Sequence, residues 1–136
     1  MKKSIVQFAI AALASFAFGE NADVKTPAAP VMVKDVTPAD VEKLLKDRKD
    51  VVVLDVRTAD EFAAGHLAGA RNVDFFGKDF AKTASAFAGK SVIVHCASGS
   101  RSAQAVELLK KQGFPEIFHL TVGYKGWVAV GKPVTK

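Results

Sequence analysis

The stretch Ser91–Ser102, SVIVHCASGSRS, constrains this chain more than any other. Ser91 to His95 is a short β-branched run of the kind that forms a buried strand. Arg101 to Gln112 places Ala105, Leu108, Leu109 and Gln112 at i, i+3, i+4 and i+7, the period of a helix. The five residues that open the loop between them, Cys96-Ala97-Ser98-Gly99-Ser100, are almost all small, which lets successive backbone N–H groups turn toward one point. Those amides, the positive end of the helix and the guanidinium of Arg101 together make a cradle for an anion. Cys96 opens the loop and is the only cysteine, so it has no disulfide partner within the chain. A thiol in that field ionises more readily, each pKa unit lost being worth about 1.4 kcal/mol of preference for the thiolate. Cys96 is therefore read as a nucleophile. The competing reading, a small buried hydrophobe ending a core strand, suits the residue type but is weakened by Gly99, Arg101 and the helix start.

Upstream, Thr37-Pro38-Ala39-Asp40 predicts a helix start, with Thr37 as N-cap, Pro38 at the first helical position and Asp40 completing a capping box. Val41, Leu44 and Leu45 give that helix one apolar face up to about Asp47. Val51–Leu54 is a continuous apolar run, expected of a parallel strand buried on both faces, and it ends in Asp55-Val56-Arg57. Charges at the end of such a strand lie where open α/β sheets place their sites. Here Asp55 reads as an acceptor for nearby loop amides and Arg57 as the partner of a carboxylate, both in supporting roles. Thr58 and Glu61 form a second capping box for a short helix that stops before Gly65. His66 reads as a structural, hydrogen-bonding histidine.

Arg71–Val73 predicts a short strand, and the Phe80, Ala84, Phe87 spacing a helix over 78–87. Phe75, Phe76, Phe80 and Phe87 read as core residues, some of them alternatively walling the mouth of the Cys96 loop. Gly113 ends the helix after the loop, Glu116–Leu120 reads as the last strand with His119 structural on it, and Trp127 sits in a short helix closed by Pro133. Strands and helices alternate throughout. That pattern predicts an α/β fold with a small central parallel sheet flanked by helices on both faces.

At 136 residues the chain holds one domain and not two. Lys2 and Lys3, the apolar run Ile5–Phe18 and the small residues Ala17 and Gly19 have the layout of a bacterial secretory signal peptide over residues 1–19. That run is shorter than the roughly 20 residues an uncleaved membrane anchor needs. Residues 20–35, with Pro27 and Pro30, read as a linker or arm, and the domain proper as 36–136. A periplasmic location and no stable membrane association after cleavage follow as expectations. Without Lys2 and Lys3 the formal charge falls from +5 to about +3, and no basic run or stacking platform accompanies it, which argues against nucleic acid. Neither a dinucleotide fingerprint nor a metal-ligand cluster stands out, so no cofactor is implied.

The loop, with the stretches around Asp55 and His66, resembles the rhodanese family of sulfurtransferases. The family's active loop runs from a cysteine to a glycine and then an arginine at the spacing of Cys96, Gly99 and Arg101. LDVRTADEF resembles its first strand and following turn, Gly65–Ala70 its glycine-histidine turn, and 121–131 its closing segment. The resemblance covers roughly residues 36 to 134 and implies a rhodanese-like fold. It also implies that Cys96 takes a sulfane sulfur from a small anionic donor such as thiosulfate, becomes a persulfide, and passes the sulfur to cyanide or a thiol in ping-pong order. Ala97, Ser98, Gly99, Ser100 and Arg101 would hold the donor, with Asp55, Arg57, His66 and Ser102 in support. Two positions depart from the family pattern: Ala97, where many members carry a second basic residue, and Val122, where paired glycines are usual. Two rival functions stay open. A low-turnover sulfur carrier or redox-partner module would use the same cysteine. A cysteine-dependent phosphatase would place five residues between cysteine and arginine, where this chain has four, and would need a general acid, for which only Asp74 or Asp79 offers itself.

Overall fold

The computed structural model describes residues 30–136, and the expected signal peptide and the part of the expected linker before residue 30 lie outside the described residues. Ten elements follow one another there: β1 (Met32–Val36), α1 (Pro38–Asp47), β2 (Val52–Asp55), α2 (Ala59–Ala64), β3 (Arg71–Asn72), α3 (Phe80–Ser85), β4 (Val92–His95), α4 (Ser100–Leu109), β5 (Glu116–Leu120) and α5 (Gly123–Ala129). The five strands form one sheet in the order β1-β5-β4-β2-β3, and every pairing is parallel. After β3 the chain returns to the far side of β2 to lay down β4. The carboxyl ends of β2 and β4 therefore flank the point where strand order reverses, the place where open α/β sheets keep their sites.

The central strands β2, β4 and β5 are buried on both faces, which is why they read as apolar runs rather than alternating ones. Period-two geometry sends Val92, Val94 and Ile117 to one face, where they meet Phe80 and Ala84 of α3 and Ala105, Val106 and Leu109 of α4. The opposite face carries Val53, Ile93, Phe118 and Leu120 against Val41 of α1 and Trp127 of α5, with Phe62 of α2 packed at its margin.

Local chemistry sets the helix starts. Thr37 and Asp40 exchange hydrogen bonds of 3.2 and 3.0 Å at the head of α1, and Thr58 and Glu61 do the same at α2, both at 3.3 Å. Helix α3 is shorter than the expected 78–87: Asp79 gives no side-chain cap, and beyond Ser85 the chain tightens into i→i+3 bonds such as Phe87 N–H to Ala84 O at 3.0 Å. Helix α4 starts one residue earlier than expected and ends at Leu109, with the same tightening carrying the chain to Gly113 at φ +82°. Strand β3 stops at Asn72, although Val73 N–H still reaches Asp55 O at 2.9 Å.

One boundary moves outright. Residues 32–35, expected to belong to the linker, join Val36 to form β1, the edge strand beside β5. Four of its five side chains are exposed. It is held by backbone pairing rather than by an apolar face, so no hydrophobic run advertised it.

Candidate active site

Strand β4 delivers Cys96 to the carboxyl edge of the sheet. The residue is 1% exposed and touches the α4-side core, yet its sulfur faces donors: Gly99 N–H reaches Sγ at 3.1 Å and Ser102 Oγ–H lies at 3.4 Å. The N–H groups of Ser98 and Ser102 act on the same sulfur. Burial by itself would push the thiol up, but these hydrogen bonds, that of the Ser102 hydroxyl foremost, outweigh it and hold Cys96 below the ordinary thiol value. The arrangement stabilises a thiolate, the reactive form of the residue.

Two glycines shape the loop. Gly99 precedes α4 in the left-handed region at φ +105°, and a Cβ there would run into the Thr121 carbonyl oxygen. Gly123, at φ +64°, starts α5 directly against the loop, where a Cβ would meet the Ala97 carbonyl and, at 2.8 Å, Ser98 N. This close approach lets Tyr124 N–H donate to Cys96 O at 2.8 Å and Lys125 N–H to Ala97 O at 3.0 Å. In a trans peptide the C=O and the following N–H point opposite ways. Tying the Ala97 carbonyl to α5 therefore turns Ser98 N–H away from α5, and that N–H helps to lower the Cys96 thiol. The Val122 departure is harmless to this turn, because Val122 sits at φ −79°, ψ −10°, a conformation open to any residue. The position that requires glycine is 123, and the chain keeps it.

Arg101 is not free to serve the loop alone, as the sequence suggested. Its two terminal nitrogens bind Glu61 in a bidentate pair of 2.7 and 3.0 Å, which brings the Glu61 carboxyl down to about 2. The same pair, opposed by burial and aided by the charges of Glu61 and Cys96, raises Arg101 further above its already high value. Sequence reasoning saw Glu61 only as a cap. Nothing local marks it as a partner of a residue 40 positions away. Phe76, 69% exposed, places its ring 5.9 Å from the Arg101 guanidinium carbon, so among the phenylalanines it borders this charged pair while Phe80 goes to the core.

Asp55 and Arg57 act as scaffold. Both are buried, with Asp55 accepting from the Arg57 backbone N–H at 3.0 Å and from its guanidinium at 2.7–3.1 Å. Arg57 also donates to Gly65 O at 2.7 Å and lies over the Tyr124 ring at 4.0 Å. The pair thus clamps the end of β2 to the turn after α2 and to α5, the helix that holds the Cys96 loop. His66 exchanges backbone bonds of 2.8 Å with Thr135, stacks on Phe62 at 3.8 Å and places Nδ1 2.9 Å from Phe62 O; these contacts are structural. Asp74 accepts from Phe76 N–H at 2.9 Å and with Asp79 lines a hollow shared with Asn72 and Lys78.

Two histidines flank the site. His95, fully buried, must donate from Nδ1 to Cys96 O at 2.9 Å because a carbonyl only accepts. Burial pushes its imidazole below the ordinary value and keeps it neutral, against the opposing charge of Asp55, whose carboxylate is 3.6 Å from Nε2. His119 on β5 places Nε2 2.7 Å from Ser102 Oγ, a contact that the sequence reading of a merely structural histidine did not foresee.

A parallel α/β domain that presents one buried cysteine to hydrogen-bond donors at its switch point belongs to the class of domains built to favour a thiolate. Comparison with known proteins narrows the class. The family description "Rhodanese-like domain" matches residues 37–130, and the chain belongs to the rhodanese family. It is 37% identical over 91 residues to the chloroplastic thiosulfate sulfurtransferase 16 of Arabidopsis thaliana, covering 59% of this chain and 76% of that protein. It is 36% identical over 86 residues to the thiosulfate sulfurtransferase GlpE of Pseudomonas putida, covering 62% and 76%. Among solved structures, a rhodanese-related protein from Thermoplasma volcanium superposes with a TM-score of 0.65 at 29% identity, over 75% of this chain and 97% of that one.

Proposed function

We propose that this protein is a sulfurtransferase that carries a sulfane sulfur on Cys96. The Cys96 thiolate attacks the outer sulfur of thiosulfate or a like anion. A sulfur–sulfur bond to Cys96 forms as the donor's own breaks, and sulfite leaves with the electron pair. Cyanide or an acceptor thiolate then attacks the outer sulfur of the persulfide, and Cys96 departs as thiolate with thiocyanate or an acceptor persulfide as product. No outside oxidant or reductant enters either half-reaction.

The observation that carries this reading is the convergence of Gly99 N–H and the Ser102 hydroxyl on Sγ, joined by the amides of Ser98 and Ser102. They stabilise the attacking thiolate and the same thiolate as leaving group. Similarity to proteins named thiosulfate sulfurtransferase supports the donor class. The purified protein is expected to form thiocyanate from thiosulfate and cyanide, and Cys96→Ser to abolish it. Failure of folded, reduced protein to turn over with any sulfane donor would overturn the reading. We propose further that the protein works in the periplasm after cleavage behind Gly19, which intact mass of the protein released by osmotic shock tests directly.

A further inference from the structure

Ser102 Oγ touches three groups: Cys96 Sγ at 3.4 Å, Gly99 O at 3.1 Å and His119 Nε2 at 2.7 Å. A hydroxyl owns one hydrogen, so these contacts compete for it. The carbonyl and an ionised sulfur can only receive that hydrogen, whereas His119 can give or take. When Nε2 carries a proton, it donates to Ser102 Oγ and the hydroxyl hydrogen is left for Sγ or Gly99 O. When Nε2 is bare, the hydrogen is drawn to the imidazole and away from the sulfur.

His119 on β5 faces β1, the edge strand whose first four residues were expected to belong to the linker. Its register partners are Asp35 on β1 and Val94 on β4, and Nδ1 lies 3.7 Å from the Asp35 carboxylate. The charged groups turned toward it are thus Asp35 from β1 and, beyond Ser102, the Cys96 sulfur from the loop after β4, with α4 contributing only the Ser102 hydroxyl to the contact. Burial pushes the imidazole below its ordinary value, while Asp35 opposes that.

We propose that His119 is a positioning residue for sulfur transfer, directing the Ser102 hydrogen onto Cys96 Sγ whenever that sulfur bears charge, at rest and when it leaves the discharged persulfide. The role in the leaving step rests on the sulfurtransferase reading; the coupling between imidazole and sulfur does not. Coupling of this kind is reciprocal: an ionised Cys96 favours a proton on His119 Nε2, and a proton there favours the thiolate. A histidine that merely fills space would show neither.

The test needs no sulfur donor, so it stands even if thiocyanate formation fails. The imidazole of His119 is titrated by NMR in the wild-type chain and in Cys96→Ser; its midpoint is expected to fall by about half a unit or more when the thiolate is absent. In parallel, iodoacetamide alkylation of Cys96 is followed against pH. His119→Leu leaves the Ser102 hydroxyl in place but undirected, and is expected to move the thiolate midpoint up and slow alkylation at neutral pH by roughly three- to ten-fold, the worth of one ordinary hydrogen bond. His119→Gln, which keeps an N–H near the Nε2 position, is expected to restore the rate to within about two-fold. Should His119→Leu fail to fold, the NMR pair and His119→Gln decide the matter. An imidazole midpoint identical with and without Cys96, or a His119→Leu alkylation profile that overlays the wild type, overturns the proposal.

Discussion

Gly123→Ala separates the cost of a left-handed backbone from the cost of crowding the active loop. Gly113 and Gly123 both sit at positive φ, +82° and +64°, but a Cβ on Gly113 meets nothing within 4 Å whereas one on Gly123 meets the Ala97 carbonyl and Ser98 N at 2.8 Å. At both sites alanine costs about 1–2 kcal/mol in the left-handed region, offset by about 0.4–1 kcal/mol from a less flexible unfolded chain. Gly113→Ala should therefore destabilise by roughly 1 kcal/mol. At Gly123 the loop must also retreat by several tenths of an ångström, which stretches the 2.8 and 3.0 Å bonds from Tyr124 and Lys125. Losing both adds about 2 kcal/mol, for a total near 3 kcal/mol. Because those bonds hold the loop whose amides lower the thiol, Gly123→Ala should also raise the thiol pKa, while Gly113→Ala leaves it alone. Urea unfolding followed by fluorescence of Trp127, with alkylation kinetics on each variant, reads both effects. Equal destabilisation of the two variants with unchanged thiol reactivity would refute the reasoning.

Asp55→Asn leaves the buried Arg57 guanidinium without its counter-charge and should cost roughly 3–5 kcal/mol, read in the same urea unfolding experiment; a loss below 1 kcal/mol would contradict the clamp. Glu61 has a folded pKa of about 2 against an ordinary 4.5, so its pairing with Arg101 contributes stability that is present above the unfolded value and lost as pH falls from about 5 toward 2. The site is partly exposed, and Glu61→Gln should accordingly remove a modest share of stability, about 1 kcal/mol, and flatten that acid limb. Freed of Glu61, Arg101 should bind small dianions more tightly, seen as a lower KM for thiosulfate.

The legible parts of this chain were those set by local chemistry. Both capping boxes, the unbroken apolar strands and the small-residue loop after His95 state their structure within a few residues, and the order of elements followed from them. What stayed hidden depends on partners distant in sequence. Strand β1 has no apolar face of its own and exists because β5 offers it an edge. Glu61 looked fully occupied as a cap, yet the same carboxylate accepts from Thr58 and from Arg101. His119 alternated with apolar neighbours like any buried strand residue; only the packing of α4 on β5 brings Ser102 to it. The Val122 departure looked threatening from sequence because the requirement for positive φ falls on one residue of the turn, and pattern alone does not say which.

Central to sulfur transfer is that the donors around Cys96 hold its thiol below the ordinary value despite burial. Since the chain has a single cysteine, alkylation rate against pH, measured on the folded protein and again in urea, reports that sulfur and no other. The account predicts a folded midpoint below the unfolded one, with loss of part of the difference in Ser102→Ala. A folded midpoint at or above the unfolded value would contradict it.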